Sequence, residues 1–185
     1  MKFICILLSF FFVGCASIDK PESEILSYDE YSSQDYDNFN KLSLSAKITL
    51  FVEKKGFSGK IFWLSRDNKS NISILNPFNA IVAKVYLDKY NNSLKISNLS
   101  NNKREVESLI KKIFGDKETV FIVEEMIKKP PSQLTSENNV ALSYKDWLIN
   151  YEGIKIKDGI SFPKKIELNK NEITLKIFIF DWKID

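Results

Sequence analysis

Histidine is absent from all 185 residues. That removes serine–histidine and cysteine–histidine nucleophile systems, and with them the commonest metal ligand. Cysteine occurs twice, at Cys5 and Cys15, too few for a cysteine metal cluster. The six glycines stand singly, which excludes a glycine-rich phosphate loop. Arginine is reduced to Arg66 and Arg104, the remaining cations are lysines, and the formal net charge is +3. So weak a bias gives no support to a nucleic-acid partner. After Val13 no apolar run approaches the about 20 residues that a membrane-spanning helix needs.

What is present begins at the N-terminus. Lys2 precedes an apolar run from Phe3 to Val13, which ends on Gly14-Cys15. A short positive region, a short apolar region and small residues at a cleavage point form the layout of a secretory signal. Phe12-Val13-Gly14-Cys15 resembles a lipobox, in which a diacylglyceryl group joins the cysteine thiol before cleavage makes that cysteine the first residue. An ordinary signal with an incidental cysteine, or a buried N-terminal element, is the alternative. On the lipobox reading, residues 1–14 are the signal peptide and Cys5 is discarded with it. Loss of fourteen of 185 residues leaves 171, enough for one domain with a sizeable core. The balance falls from +3 to +2 because Lys2 is the only charge removed. Cys15 is then the one thiol of the mature chain, and no intramolecular disulfide can form. Ala16 follows it, where an aspartate would retain a lipoprotein in the inner membrane, so the outer membrane is the expected location.

Residues 15–40 are expected to carry the lipid, a polar tether over Ala16 to about Leu26, and either a short helix from Tyr28 to Phe39 or no structure. Residues 41–185 read as one domain. From Lys41 to Glu53 apolar and polar residues alternate strictly, the period of a half-buried strand. Lys54-Lys55-Gly56 reads as a hairpin connection, followed by strands at Phe57–Ser65, Asn71–Leu75, Ala80–Asp88 and Ser93–Ser97. Ile81, Ala83, Val85 and Leu87 are expected to share one side. The period then changes. Val106, Leu109, Ile110 and Ile113 fall at helical spacing up to Gly115, and Glu118–Lys128 reads as a second helix with apolar residues around more than half of its wheel. Strand patterns return at Val140–Ser143, Trp147–Tyr151, Gly153–Lys157, Lys164–Asn169 and Glu172–Trp182. About ten short antiparallel strands with two inserted helices predict a barrel or a strongly curved sheet.

Chemistry-bearing constellations are scarce. No catalytic residue and no metal site is singled out. Glu124-Glu125 is the nearest carboxylate pair, and solvated surface is the plainer use for it. The strands are rich in aromatic residues, among them Trp63, Trp147 and Trp182. A filled core accounts for these, and so does a ligand cavity lined by the same side chains. Asn76-Pro77-Phe78-Asn79 lies between two strands, where proline and asparagine suit a turn. Phe78 is then exposed unless it folds back into the core.

From Leu42 to Trp182 the chain resembles the LolB family of outer-membrane lipoproteins. Ser58-Gly59-Lys60-Ile61-Phe62-Trp63 is similar to the family's Ser-Gly-x-x-x-Trp segment, on the second strand of its opening hairpin. Asn76-Pro77-Phe78-Asn79 resembles its Pro-Leu-Gly turn, with Phe78 for the protruding Leu. Asp146-Trp147-Leu148-Ile149-Asn150-Tyr151 is similar to its Gly-Trp-x-x-x-Tyr strand. Phe162-Pro163-Lys164-Lys165-Ile166-Glu167-Leu168 is similar to Leu-Pro-x-x-Ile-x-Leu, and Leu175–Trp182 to the closing strand. Departures fall at Ala46-Lys47, where the family often has Gly-Arg, and at Met126-Ile127-Lys128-Lys129-Pro130, which lacks a Trp and a Gly.

The resemblance implies a mainly β fold, a half-open antiparallel β-barrel of the LolA/LolB type with inserted helices as a lid. It implies a membrane-inserting loop at Pro77 and Phe78, and an acyl-chain cavity lined by Leu44, Ile48, Leu50, Trp63, Ile74, Val85, Phe121, Met126 and Trp147. It implies a LolA-like periplasmic carrier and lipoprotein cargo acyl chains as partners. The chain would face the periplasm, anchored in the inner leaflet of the outer membrane. It would be a monomer and no enzyme, with no cofactor beyond the covalent lipid on Cys15. The rival expectations are a scaffolding outer-membrane lipoprotein with a filled barrel core, a periplasmic sensor domain on a related barrel, and, more remotely, a hydrolase.

Overall fold

The computed structural model describes residues 25–27, 41–98 and 104–184. The signal segment, Cys15 and the helix expected over 28–39 lie outside the described residues. Strand β2 (Lys41–Val52) alternates inward and outward residues along its whole length, as its period-two pattern requires. It pairs antiparallel on one side with β3 (Lys55–Arg66) and on the other with the closing strand β10 (Ile173–Ile184). From β3 the chain meanders through β4 (Lys69–Leu75), β5 (Ile81–Asp88) and β6 (Ser93–Asn98). From the other flank β7 (Asn139–Tyr144), β8 (Trp147–Lys157) and β9 (Ile160–Lys170) meander back to β10. The strand order is β1-β7-β8-β9-β10-β2-β3-β4-β5-β6, a ten-stranded sheet whose edges do not pair, so the barrel is half-open.

Four local outcomes differ from the sequence expectations, each for a physical reason. β1 (Ile25–Ser27) pairs in parallel with β7 at Ile25↔Ala141 through Ser27↔Ser143. The end of the expected tether is thus an edge strand, and one pairing is not antiparallel. The first hairpin turns at Glu53-Lys54, with Val52 opposite Lys55, because Glu53 takes a left-handed φ of 57°. β8 runs unbroken where two strands were expected. Gly153 adopts φ 55° inside it, and Pro163, which has no N–H to donate, stands opposite Ile154. Ile81 is 36% exposed whereas Ala83, Val85 and Leu87 are buried, since the register shifts between Ile74 and Leu75 and releases Ile81 from the inner row.

A second irregularity sits in β10. Unbroken alternation from Leu175 would point Asp181 into the core. A bulge between Ile179 and Asp181 spends one extra residue, leaving Phe180 outside and returning Trp182 to the interior.

The inner face of the curved sheet is covered by α1 (Arg104–Phe114) and α2 (Lys117–Lys128). α1 lies against β2, β3, β5 and β6, and α2 against β9. Gly115 ends α1, donating its N–H to the Lys111 carbonyl at 2.9 Å. A Cβ there would stand 2.1 Å from the same oxygen. Asp116 caps α2 by accepting from the Glu118 and Thr119 amides at 3.3 and 3.0 Å. Val120, Ile122, Val123, Met126 and Ile127 are all buried, matching the wide apolar arc in the sequence. Full burial of each such side chain contributes about 1.5–3 kcal/mol, so apolar contact fastens the helices to the sheet.

Candidate functional site

The turn between β4 and β5 presents the most exposed large apolar side chain among the described residues, Phe78 at 88%. The fold-back alternative for this ring is therefore set aside. The Asn76 side chain builds the turn. Its Oδ1 accepts the Phe78 amide at 2.9 Å and the Ala80 amide at 3.0 Å. The Asn76 amide donates to the Ala80 carbonyl at 2.9 Å, and the Asn79 amide to the Asn76 carbonyl at 3.0 Å. Asn79 has φ 63°, the left-handed conformation that asparagine tolerates better than most side chains. It thus fills a position where glycine would otherwise be favoured. Lys60 Nζ donates to Asn79 Oδ1 at 2.9 Å and ties the turn to β3. Phe78 is held out by a braced turn, with a cation beside it.

Beneath the turn, Gly59 is fixed by close approach. A Cβ on it would stand 2.1 Å from the Leu75 carbonyl oxygen and 2.7 Å from Phe57 Cζ. The Ser-Gly-x-x-x-Trp spacing has a direct cause. Gly59 admits the Phe57 ring and the neighbouring strand, and Trp63, four residues on, faces the interior at 2% exposure.

The residues expected to line a cavity lie in one continuous core. Leu44, Ile48, Leu50, Trp63, Ile74, Val85, Met126 and Trp147 are buried, and Phe121 is partly buried against them. They come from β2, β3, β4, β5, β8 and α2, so the structure brings them to the space between the sheet and the helices. The indole Nε1 atoms of Trp63 and Trp182 are buried there without a hydrogen-bond partner among the described residues. An unsatisfied donor in such a place costs about 1–3 kcal/mol.

Sequence reasoning passed over the polar cluster that holds α2. Glu124 is 1% exposed. Its Oε1 meets Lys128 Nζ at 2.7 Å and Lys89 Nζ at 3.2 Å. Ser65 Oγ donates to Oε1 and Ser70 Oγ to Oε2, each at 2.9 Å. Burial pushes the Glu124 pKa up, but Lys128, Lys89 and the donated hydrogen bonds outweigh it and hold the group below the ordinary glutamate value. The carboxylate binds the last turns of α2 to the β3–β4 hairpin and to the end of β5. With every oxygen engaged it is structural, and the expectation of a solvated Glu124 is corrected. The Glu124–Lys128 spacing was visible in the sequence; Ser65, 59 residues away, was not. Tyr151 Oη adds a bond from β8 to the Met126 carbonyl at 3.2 Å.

A half-open curved sheet, helices on its inner face and one apolar side chain braced outward at its rim define a half-barrel, which its likeness to known proteins places in the lipoprotein-handling class. A family model described as "Outer membrane lipoprotein LolB" matches residues 40–182. The chain belongs to the LolB family. It is 21% identical to an outer-membrane lipoprotein LolB from Psychromonas ingrahamii over 98% of this chain and 95% of that protein. It is 23% identical to an outer-membrane lipoprotein LolB from Pseudomonas fluorescens over 75% of this chain and 72% of the relative. Among solved structures, a DUF1329 family protein from Desulfovibrio piger covers 80% of this chain and 87% of its own, at 9% identity and a TM-score of 0.39.

Proposed function

We propose that this chain is anchored in the outer membrane by a lipid on Cys15, accepts lipoproteins from a LolA-like periplasmic carrier, and inserts them into the inner leaflet. The observation that carries this is Phe78, 88% exposed on a turn braced by its own hydrogen bonds, in a chain of the LolB family. A rigidly presented aromatic side chain gains free energy only where it leaves water, and a bilayer rim offers that. The cargo is held by its acyl chains between the inner face of the sheet and α1 and α2. Each methylene moved out of water contributes about 0.8 kcal/mol, so several long chains make an unshielded lipoprotein insoluble. Transfer runs downhill from carrier to receptor to bilayer, and the chain needs neither nucleotide nor catalytic group.

Burial of eight of the nine proposed lining residues favours one rival, a scaffolding lipoprotein whose core is filled. The two readings separate in a transfer assay. The chain from residue 16 onward is mixed with LolA loaded with a lipoprotein, beside its Phe78→Glu variant. Movement of cargo to both proteins, with delivery to liposomes by the parent alone, is the expected result. If no cargo moves to the folded parent chain, the receptor reading falls and the scaffold stands.

A further inference from the structure

The two halves of the sheet carry their charge differently. Strands β2 to β6 hold eight cations and a single carboxylate, Asp88 at the last position of β5, so cations dominate their outer face. On the other half lysines meet carboxylates: Lys165 is 2.6 Å from Glu152, Lys176 3.1 Å from Glu167 and Lys157 2.6 Å from Asp181. A lysine-rich composition alone would treat both halves alike. Lys47 and Lys60 stand directly opposite each other across β2 and β3, an arrangement that like charges disfavour. Lys84 follows on β5, in the row that runs through Ser45, Phe62 and Ser73. Among the described residues none of these three lysines has a carboxylate partner. Phe62, in the Lys84 row, and Leu64, in the next outward row, are exposed at 51% and 39%. Lys60 also reaches the Phe78 turn, so this face and that turn form one surface.

We propose that the outer face of β2–β5 lies on the anionic phospholipid surface, with Lys47, Lys60 and Lys84 on phosphate headgroups and Phe62, Leu64 and Phe78 turned toward the acyl boundary. This rests on the reading of the chain as membrane-anchored, and adds which side of the molecule meets the lipid and what lipid chemistry it selects. Anionic headgroups relieve the Lys47–Lys60 repulsion by placing opposite charge against both ammonium groups. Contact along the face also fixes the angle at which the Phe78 turn meets the bilayer, which a flexible lipid tether alone leaves free.

The test uses the full lipidated chain in vesicles without cargo. Amine acetylation of each lysine is read by mass spectrometry in pure phosphatidylcholine and in vesicles where roughly a third of the lipid is phosphatidylglycerol. The expected result is severalfold slower modification of Lys47, Lys60 and Lys84 in the anionic vesicles only, reversed by salt, with Lys164 on the other half unchanged. Equal rates in the two vesicle types, whether fast or slow, overturn the proposal. So does protection in detergent that rises with protein concentration, which assigns the face to a second copy. A chain lacking residues 1–15 with Lys47→Gln, Lys60→Gln and Lys84→Gln should lose on the order of a hundredfold in partitioning to anionic vesicles at low salt. Because no cargo is present, failure here leaves the transfer assay free to stand or fall by itself.

Discussion

Phe78 and Asn76 separate function from stability within one turn. Phe78 buries almost nothing, so Phe78→Glu should leave thermal unfolding within about 0.5 kcal/mol of the parent. The same change should abolish delivery to liposomes, because a charge replaces a ring whose burial contributes about 1.5–3 kcal/mol. Calorimetry beside the delivery assay checks both halves of that statement. Asn76→Ala does the reverse. It removes the acceptor of two amides and should cost about 1 kcal/mol, while delivery weakens only as far as the turn loosens. A large loss of stability in Phe78→Glu would mean that the ring packs inward in solution. At this scale the sequence was informative: proline and asparagine around a phenylalanine announced a turn, and left exposure or fold-back of its ring for the structure to decide. Asn79 at φ 63° explains how an asparagine replaces the glycine of the related turn.

Strands with strict alternation declared themselves, β2 above all, because inner and outer residues differ in polarity at every step. Elements set by pairing partners did not. Ile25–Ser27 is too short to show a period, and only β7 makes it a strand. β8 was expected as two strands, Trp147–Tyr151 and Gly153–Lys157, and pairing with β9 on both sides of Gly153 joins them. The Glu124 cluster was hidden for the same reason, its partners lying on the β3–β4 hairpin and the end of β5. Two predictions belong here. Gly59→Ala should destabilise by about 1–3 kcal/mol, since a Leu75 carbonyl cannot move aside as a flexible side chain can. Chemical denaturation measures it, and an unchanged midpoint would show that β3 and β4 separate without cost. Glu124→Gln should cost about 2–4 kcal/mol at neutral pH, because it leaves Lys128 and Lys89 beside an uncharged amide. The folded-state pKa of Glu124 lies below the ordinary 4.5, so its contribution is complete above that value and is lost as pH falls through the folded pKa. The gap between parent and variant should therefore be constant from neutral pH down to about 4.5 and close below it.

At the scale of the whole molecule, the chain's first long strand and its last meet at the centre of the sheet. β2 and β10 pair along most of their length, and each flank is a meander hung on that seam. Such a sheet is rigid in the middle and free at its edges, and the helices close its inner face by apolar contact together with the Glu124 cluster and the Tyr151 bond. Acyl cargo can enter that space only if α1 and α2 yield, since the proposed lining residues are already buried against one another. The seam has no such need to move. Amide hydrogen exchange with and without a diacylated lipopeptide distinguishes the cases. The receptor reading expects altered exchange over residues 104–128, with β2 and β10 unchanged. A filled core expects no change in either, because nothing enters. Uniform change across seam and helices would instead mean global loosening, and would remove the division between a fixed sheet and a yielding lid on which the transfer mechanism depends.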